Sequence, residues 1–156
     1  MRNSTFYMMV GLPASGKSTE AENLGAIVRS SDALRDELLG DVQEQGKNGL
    51  IFDLLHSLIK ADIYNGSDVV FDATNINSIR RKAFLDELSL LPCRKICIYM
   101  KTPYSVCTYR NFNRKRCVPV EAMERMKKKL QEPTMDEGWD EIRIISCKED
   151  NTNGRD

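Results

Sequence analysis

The sequence predicts a three-layer α/β/α domain on a five-stranded parallel sheet, with a basic helical lid. Three observations carry that expectation. Short apolar runs alternate with amphipathic stretches along the chain, as they do where strands are joined by crossover helices. The runs are continuous rather than alternating, which suits strands buried on both faces. A strongly basic stretch falls late in a chain that is otherwise balanced in charge.

Thr5 to Val10 (TFYMMV) is an apolar run stopped by Gly11, the first strand. Lys17 to Ala26 reads as a helix and Ala26 to Arg29 as a short strand. A helix is expected from Asp32 to Leu39, with Ser31 or Asp32 capping its free amides. Gly40 to Gly49 is polar and holds three glycines, so it reads as a loop. Leu50 to Tyr64 places Ile51, Leu54, Leu55, Leu58, Ile59 and Ile63 at helical spacing. Val69 to Asp72 is the next strand, and Ile79 to Leu90 a helix with Phe84, Leu85 and Leu88 inward. Pro92 breaks that helix before the strand Lys95 to Met100. Thr102 to Arg110 reads as a helix, followed by a basic segment to Cys117. Pro119 opens a further helix, at the position where a missing N–H costs nothing. Met123, Met126 and Leu130 form a packing stripe on it, and Trp139 anchors the return to the last strand, Ile142 to Ile145. The expected organisation is one domain over residues 1–147, a lid over about 104–130, and a polar tail over 148–156.

Composition narrows the function classes. Of the 156 residues 41% are hydrophobic and 29% charged, which is globular rather than disordered composition. Lys plus Arg is 23 and Asp plus Glu is 23, which excludes a uniformly basic nucleic-acid coat but leaves a local basic patch open. The longest apolar stretches are six or seven residues, against roughly 20 for a membrane span. Met1 to Ser4 leads straight into the first strand without a signal-type apolar region. A cytoplasmic protein without membrane partners is expected. Five cysteines, at 93, 97, 107, 117 and 147, include no C-x-x-C pair, so they read as reduced thiols rather than metal ligands. The single histidine, His56, has no second ligand in view.

Gly11-Leu12-Pro13-Ala14-Ser15-Gly16-Lys17-Ser18 fits G-x-x-x-x-G-K-[ST] and stands between a strand and a helix, the context that gives the motif meaning. Its amides and the helix start form an anion cradle. Gly11, Ala14, Ser15, Gly16, Lys17, Ser18 and Thr19 are the candidate nucleotide-binding residues. Lys17 would reach the outer phosphates and Ser18 would ligate Mg²⁺. The bland alternative is a glycine-rich turn that binds nothing.

The acceptor is read from the residues just beyond the second and third strands. Asp32-x-x-Arg35 begins the helix after the second strand, so both side chains belong at the carboxyl edge of the sheet, where ligands bind. A carboxylate there can take a proton from an attacking hydroxyl; a helix cap with a surface ion pair is the alternative. Asp72 ends a strand and is followed by Thr74-Asn75, which suits a water-mediated Mg²⁺ contact, an orienter of Arg35, or simply a strand-end Asp in a turn. Arg80, Arg81 and Lys82 read as solvated cations at a helix start. From Arg110 to Lys129 there are eight basic residues against Glu121 and Glu124. Arg110 and Arg114, four apart, would share a face if the helix ran on, and guanidinium groups there suit a lid over the transferring phosphate.

Together GLPASGKST from Gly11, SSDALR from Ser30, VVFDATNINSIRRKAF from Val69, TPYSVCTYRNFNRKRCVPVEAMERM from Thr102 and EPTMDEGWDEI resemble the P-loop kinases of the polynucleotide 5′-hydroxyl kinase family, from about residue 5 to 146. The resemblance implies a P-loop NTPase fold of kinase type, with ATP as donor and Mg²⁺ as its ion. It makes Asp32 the general base for the 5′-hydroxyl and Arg35 the contact to the phosphate beside the acceptor. It aligns Arg110 and Arg114 with the lid arginines, Arg114 being on the donor phosphates. It assigns Asp72 a supporting place in the acceptor site, with Asn75 beside it. No D-x-D-G-T phosphatase motif is present, so another protein is expected to trim 3′ ends. The leading expectation is phosphorylation of 5′-hydroxyl DNA or RNA ends. A kinase for small-molecule or nucleoside hydroxyls, and a regulatory ATPase without an acceptor, are the rivals.

Overall fold

The computed structural model describes residues 3–39 and 48–146. The expected loop up to residue 47, Cys147 and the polar tail lie outside them. Five strands, β1 (Ser4–Val10), β2 (Ile27–Ser30), β3 (Val69–Asp72), β4 (Cys93–Lys101) and β5 (Glu141–Ser146), form one sheet in the order β2-β3-β1-β4-β5. Every pairing is parallel. Helices α1 (Lys17–Glu22), α2 (Ser31–Leu39), α3 (Asn48–Tyr64), α4 (Ser78–Glu87), α5 (Tyr104–Phe112) and α6 (Val120–Lys129) are the crossovers. Among the described residues no helix is long and apolar enough to cross a membrane.

The expected three-layer architecture is present, and the pleat explains why it closes. Successive residues of β1 point to opposite faces. Phe6, Met8 and Val10 join Val69, Phe71, Cys97 and Tyr99 under α3 and α4, whereas Met9 joins Val70, Ile96, Ile98 and Met100 under α1. The central strands therefore need unbroken apolar runs, while edge strands can leave Ile27 and Ile144 exposed. A smaller cluster of Leu12, Cys107 and Met123, with Met126 and Leu130 packed on it, seats the lid beside the phosphate loop, as the stripe on α6 predicted.

Boundaries differ from expectation for local reasons. α1 stops at Glu22, and the left-handed Gly25 (φ 70°) turns the chain before β2. α3 starts at Asn48, so Asn48 and Gly49 belong to a helix rather than a loop. The cap of α2 is neither Ser31 nor Asp32: Ser30 Oγ accepts from Ala33 N at 3.2 Å. The third helical amide is the one such a side chain reaches, and with the helix starting at Ser31 that geometry falls to Ser30. Asp32 is thereby released from capping.

Candidate active site

The chain leaves β1 towards β2 and leaves β3 towards β4, in opposite directions along the sheet. The crevice outside the carboxyl ends of such a strand pair is where α/β sheets bind ligands. Here it widens into a cleft of about 2090 Å³, well above the roughly 300–1,000 Å³ of a single-ligand pocket.

One wall is the phosphate loop. Gly11 N donates to Thr74 O at 3.0 Å, tying the loop start to the chain after β3. A Cβ at Gly11 would lie 2.6 Å from Ser15 Oγ and 3.1 Å from Met100 Cβ, so a larger residue there would have to displace Ser15 and Met100. Thr102 Oγ1 donates to Ser15 O at 2.7 Å and holds the far side. Ala14 (φ 64°) and Gly16 (φ 99°) are left-handed, a conformation that costs a non-glycine residue about 1–3 kcal/mol and persists only where the surroundings impose it. Ala14 to Thr19 line the cleft. The buried Ser15 hydroxyl has no partner, and no side chain caps the start of α1 at Gly16. The loop thus presents unclaimed polar groups to an anion.

Lys17 Nζ rests 3.4 Å from Leu12 O. Burial pushes its pKa below the ordinary lysine value, with Arg114 acting in the same direction and Asp72 and Asp32 opposing. Ser18 Oγ donates to Asp72 Oδ2 at 2.8 Å. Asp72 Oδ1 is buried without a partner. Burial raises the Asp72 carboxyl above its usual range, Asp32 adds to the rise, and Lys17 and Ser18 pull it back. A hydroxyl and an unsatisfied carboxylate oxygen are the ligands a hard cation such as Mg²⁺ takes, so these residues fit the ion.

The cleft is also lined by Asp32 and Arg35, which meet as the spacing predicted: Arg35 Nη1 donates to Asp32 Oδ1 at 2.9 Å. The Asp32 side chain is 72% exposed while that of Arg35 is 7% exposed. Arg35 Nη2 donates to Asn48 Oδ1 and Arg35 Nε has no partner. The Nη donors of Arg35 therefore go to Asp32 and Asn48, and Asp72 is engaged by Ser18. Asn75, left-handed at φ 48°, donates from Nδ2 to Met9 O at 2.9 Å and to Ala73 O. Its amide clamps the Asp72–Asn75 turn to β1.

Residues from α5 to α6 line a further side of the cleft. α5 ends at Phe112, so Arg110 and Arg114 do not share a continuous helical face. Arg114 lies in the following turn, and both still line the cleft. The buried Asn111 makes this possible: its Nδ2 donates to Val118 O (2.7 Å), and its Oδ1 accepts from Val118 N (2.9 Å) and Arg114 Nε (3.3 Å). Arg116 reaches Asp36 of α2 at 3.7 Å.

Three functional positions escape a reading by spacing: Asn48, Asn111 and Arg81. Arg81 is not solvated but 1% exposed. It pairs with Glu137 through two bonds of 2.9 and 2.8 Å and donates to Asn75 O and Gln131 O, each at 2.8 Å. Trp139 Nε1 donates to the same carboxylate at 3.0 Å. The only local signal was an arginine three residues before Phe84, on the inward side of α4.

Comparison with known proteins places the fold. An L-seryl-tRNA(Sec) kinase from Methanococcus maripaludis is 26% identical over 142 residues, covering 85% of this chain and 55% of that protein. The chain thus spans about half the length of that relative. A fungal RNA kinase has a TM-score of 0.65 at 17% identity, over 98% of this chain and 41% of its own. The Mycobacterium tuberculosis APS kinase CysC, solved with AMPPNP and APS, has a TM-score of 0.66 at 18% identity, over 92% of this chain and 90% of its own. At these identities the two structures share the fold. The profile of the family described as AAA domain matches residues 6–133 of the 156. On that match the chain belongs to the AAA domain family, and its fold is that of the P-loop kinases.

Proposed function

We propose that this P-loop kinase uses ATP and Mg²⁺ to phosphorylate the 5′-hydroxyl end of a polynucleotide. The observation that carries the reading is the Asp32–Arg35 pair, which lines the same cleft as Lys17 with an exposed carboxylate beside a buried guanidinium. A switch ATPase has no use for a base at the acceptor edge. The basic lid favours an acceptor that is itself anionic, and the seryl-tRNA(Sec) kinase and the fungal RNA kinase are RNA-directed by name.

In this mechanism the loop amides and Lys17 hold the outer phosphates of the donor. Ser18 and Asp72 would hold the Mg²⁺, which when bound would supply charge neutralisation on the donor phosphates. Arg35 holds the phosphate next to the acceptor. Asp32 takes the proton as the 5′-oxygen bonds to the γ-phosphorus and the β–γ bridging oxygen leaves with ADP. Arg110 and Arg114 stabilise charge on the transferring group.

The test is incubation with γ-labelled ATP and a panel of 5′-hydroxyl DNA, 5′-hydroxyl RNA, a nucleoside and a seryl-tRNA. Label on an oligonucleotide end is expected. Label on the nucleoside or the seryl group alone overturns the reading. Asp32→Asn should bind ATP and melt like the parent, because Ser30 rather than Asp32 caps α2. It should lose about 10² to 10⁴ in transfer rate.

A further inference from the structure

The cleft extends past the Asp32–Arg35 pair along one face of α3. Asn48, Phe52 and His56 are spaced four residues apart and all line the cleft. At 1.5 Å per residue they succeed one another at intervals of about 6 Å along the helix axis. Asn48 is the residue that holds Arg35, so the track starts at the acceptor-phosphate contact. Phe52 and His56 are half-buried, leaving part of each ring open to the cleft. Both are braced from below. Phe71 lies 6.1 Å from Phe52 and 5.7 Å from His56, and Phe84 stacks on His56 at 4.2 Å. None of the phosphoryl-transfer roles uses these rings. Phe52 and His56 stand edge to face at 6.4 Å, two braced rings in the cleft wall of the kind a flat ring stacks on, and base stacking on such side chains is tolerant of sequence.

We propose that Phe52 and His56 form a stacking platform for the terminal bases of the acceptor strand, running along α3 from Arg35. The proposal rests on the polynucleotide reading above and adds the single-stranded 5′ terminus as the form recognised.

The experiment compares 5′-hydroxyl oligonucleotides that carry either a base or an abasic site at the terminal nucleotides. Phe52→Ala should raise the KM for the base-bearing acceptor between about 5- and 150-fold. That span corresponds to roughly 1–3 kcal/mol per stacked base at 1.36 kcal/mol per decade. The KM for ATP should not move. The abasic acceptor should be poor for the parent and no poorer for the variant. His56→Phe, which keeps a ring, should restore what His56→Ala loses. Should Phe52→Ala melt early, Phe52→Leu keeps the packing on Phe71 and removes only the ring, and it should show the same base-specific loss. A loss equal for both acceptors, or no loss, overturns the platform and leaves the kinase assignment standing. A parent that labels no oligonucleotide overturns both, which the parent reaction alone reveals.

Discussion

Replacing Arg81 with methionine should destabilise the fold by about 3–5 kcal/mol, the range for breaking a buried ion pair from one side. The structure shows why the upper part of that range applies. Arg81 is 1% exposed and makes four hydrogen bonds. Methionine fills much of the volume but leaves the Glu137 carboxylate buried with Trp139 as its remaining side-chain donor, and takes a donor from the carbonyls of Asn75 and Gln131. At about 2–4 °C per kcal/mol for a domain of this size, the melting temperature should fall by about 6–20 °C. The double variant Arg81→Met/Glu137→Leu should recover part of this, because the stranded charge is gone while the two carbonyls stay unpaired. Acidity supplies a second check. Burial works against the Glu137 carboxylate, yet the bonds from Arg81 and Trp139 and the Arg81 charge outweigh it and hold its pKa below the usual glutamate value of 4.5. A depressed carboxylate contributes stability above the unfolded pKa and loses it as pH falls through the folded one. Without Arg81 the burial that works against this carboxylate prevails, so the gap between parent and Arg81→Met should narrow as pH falls from above 4.5 through the parent's lowered pKa, as protonation removes the stranded charge. Urea denaturation of the three proteins at pH 7 and pH 4 measures all of this. A loss under 1 kcal/mol for Arg81→Met at pH 7 would refute the reasoning.

Other perturbations separate the parts of the site. Lys17→Ala should abolish transfer and weaken triphosphate binding, read by calorimetric titration with a non-hydrolysable ATP analogue; unchanged turnover removes the phosphate-loop role. Arg114→Ala should lower kcat by a factor on the order of 10³, whereas Arg35→Ala should raise the oligonucleotide KM, as loss of a contact made equally before and during reaction does. The opposite pattern exchanges the two roles. Burial, with Lys60, holds the His56 imidazole below its ordinary pKa of 6.5 against the pull of Glu87 and Asp53. The unfolded chain then takes up the proton first, and stability falls as pH drops below 6.5 towards the folded value. Urea midpoints at pH 7.5 and 5.5 should differ less for His56→Phe than for the parent, and equal slopes exclude the effect.

The features legible in the sequence alone are those written within a few residues of one another. The phosphate loop follows from glycine spacing between a strand and a helix, and the D-x-x-R pair from helical periodicity, because both depend on local geometry. The alternation of apolar runs with amphipathic stretches was enough for the three layers. A single residue of register already strained this logic: Ser30 caps α2 where Ser31 or Asp32 was expected. What meets across the chain depends on how the elements pack. Ser18 and Asp72 are 54 positions apart, Arg81 and Glu137 are 56 apart, and Arg35 finds Asn48 across residues that separate two helices. Arg81 looked solvated because its neighbours Arg80 and Lys82 are, and a short sequence window shows a cation without showing the carboxylate folded onto it. Arg110 and Arg114 reach one cleft although α5 ends between them, since Asn111 bends the chain by bonding to Val118. Hydrogen-bond partners chosen after the sheet has ordered its strands leave no period in the sequence, and the polar half of this site is built from such partners.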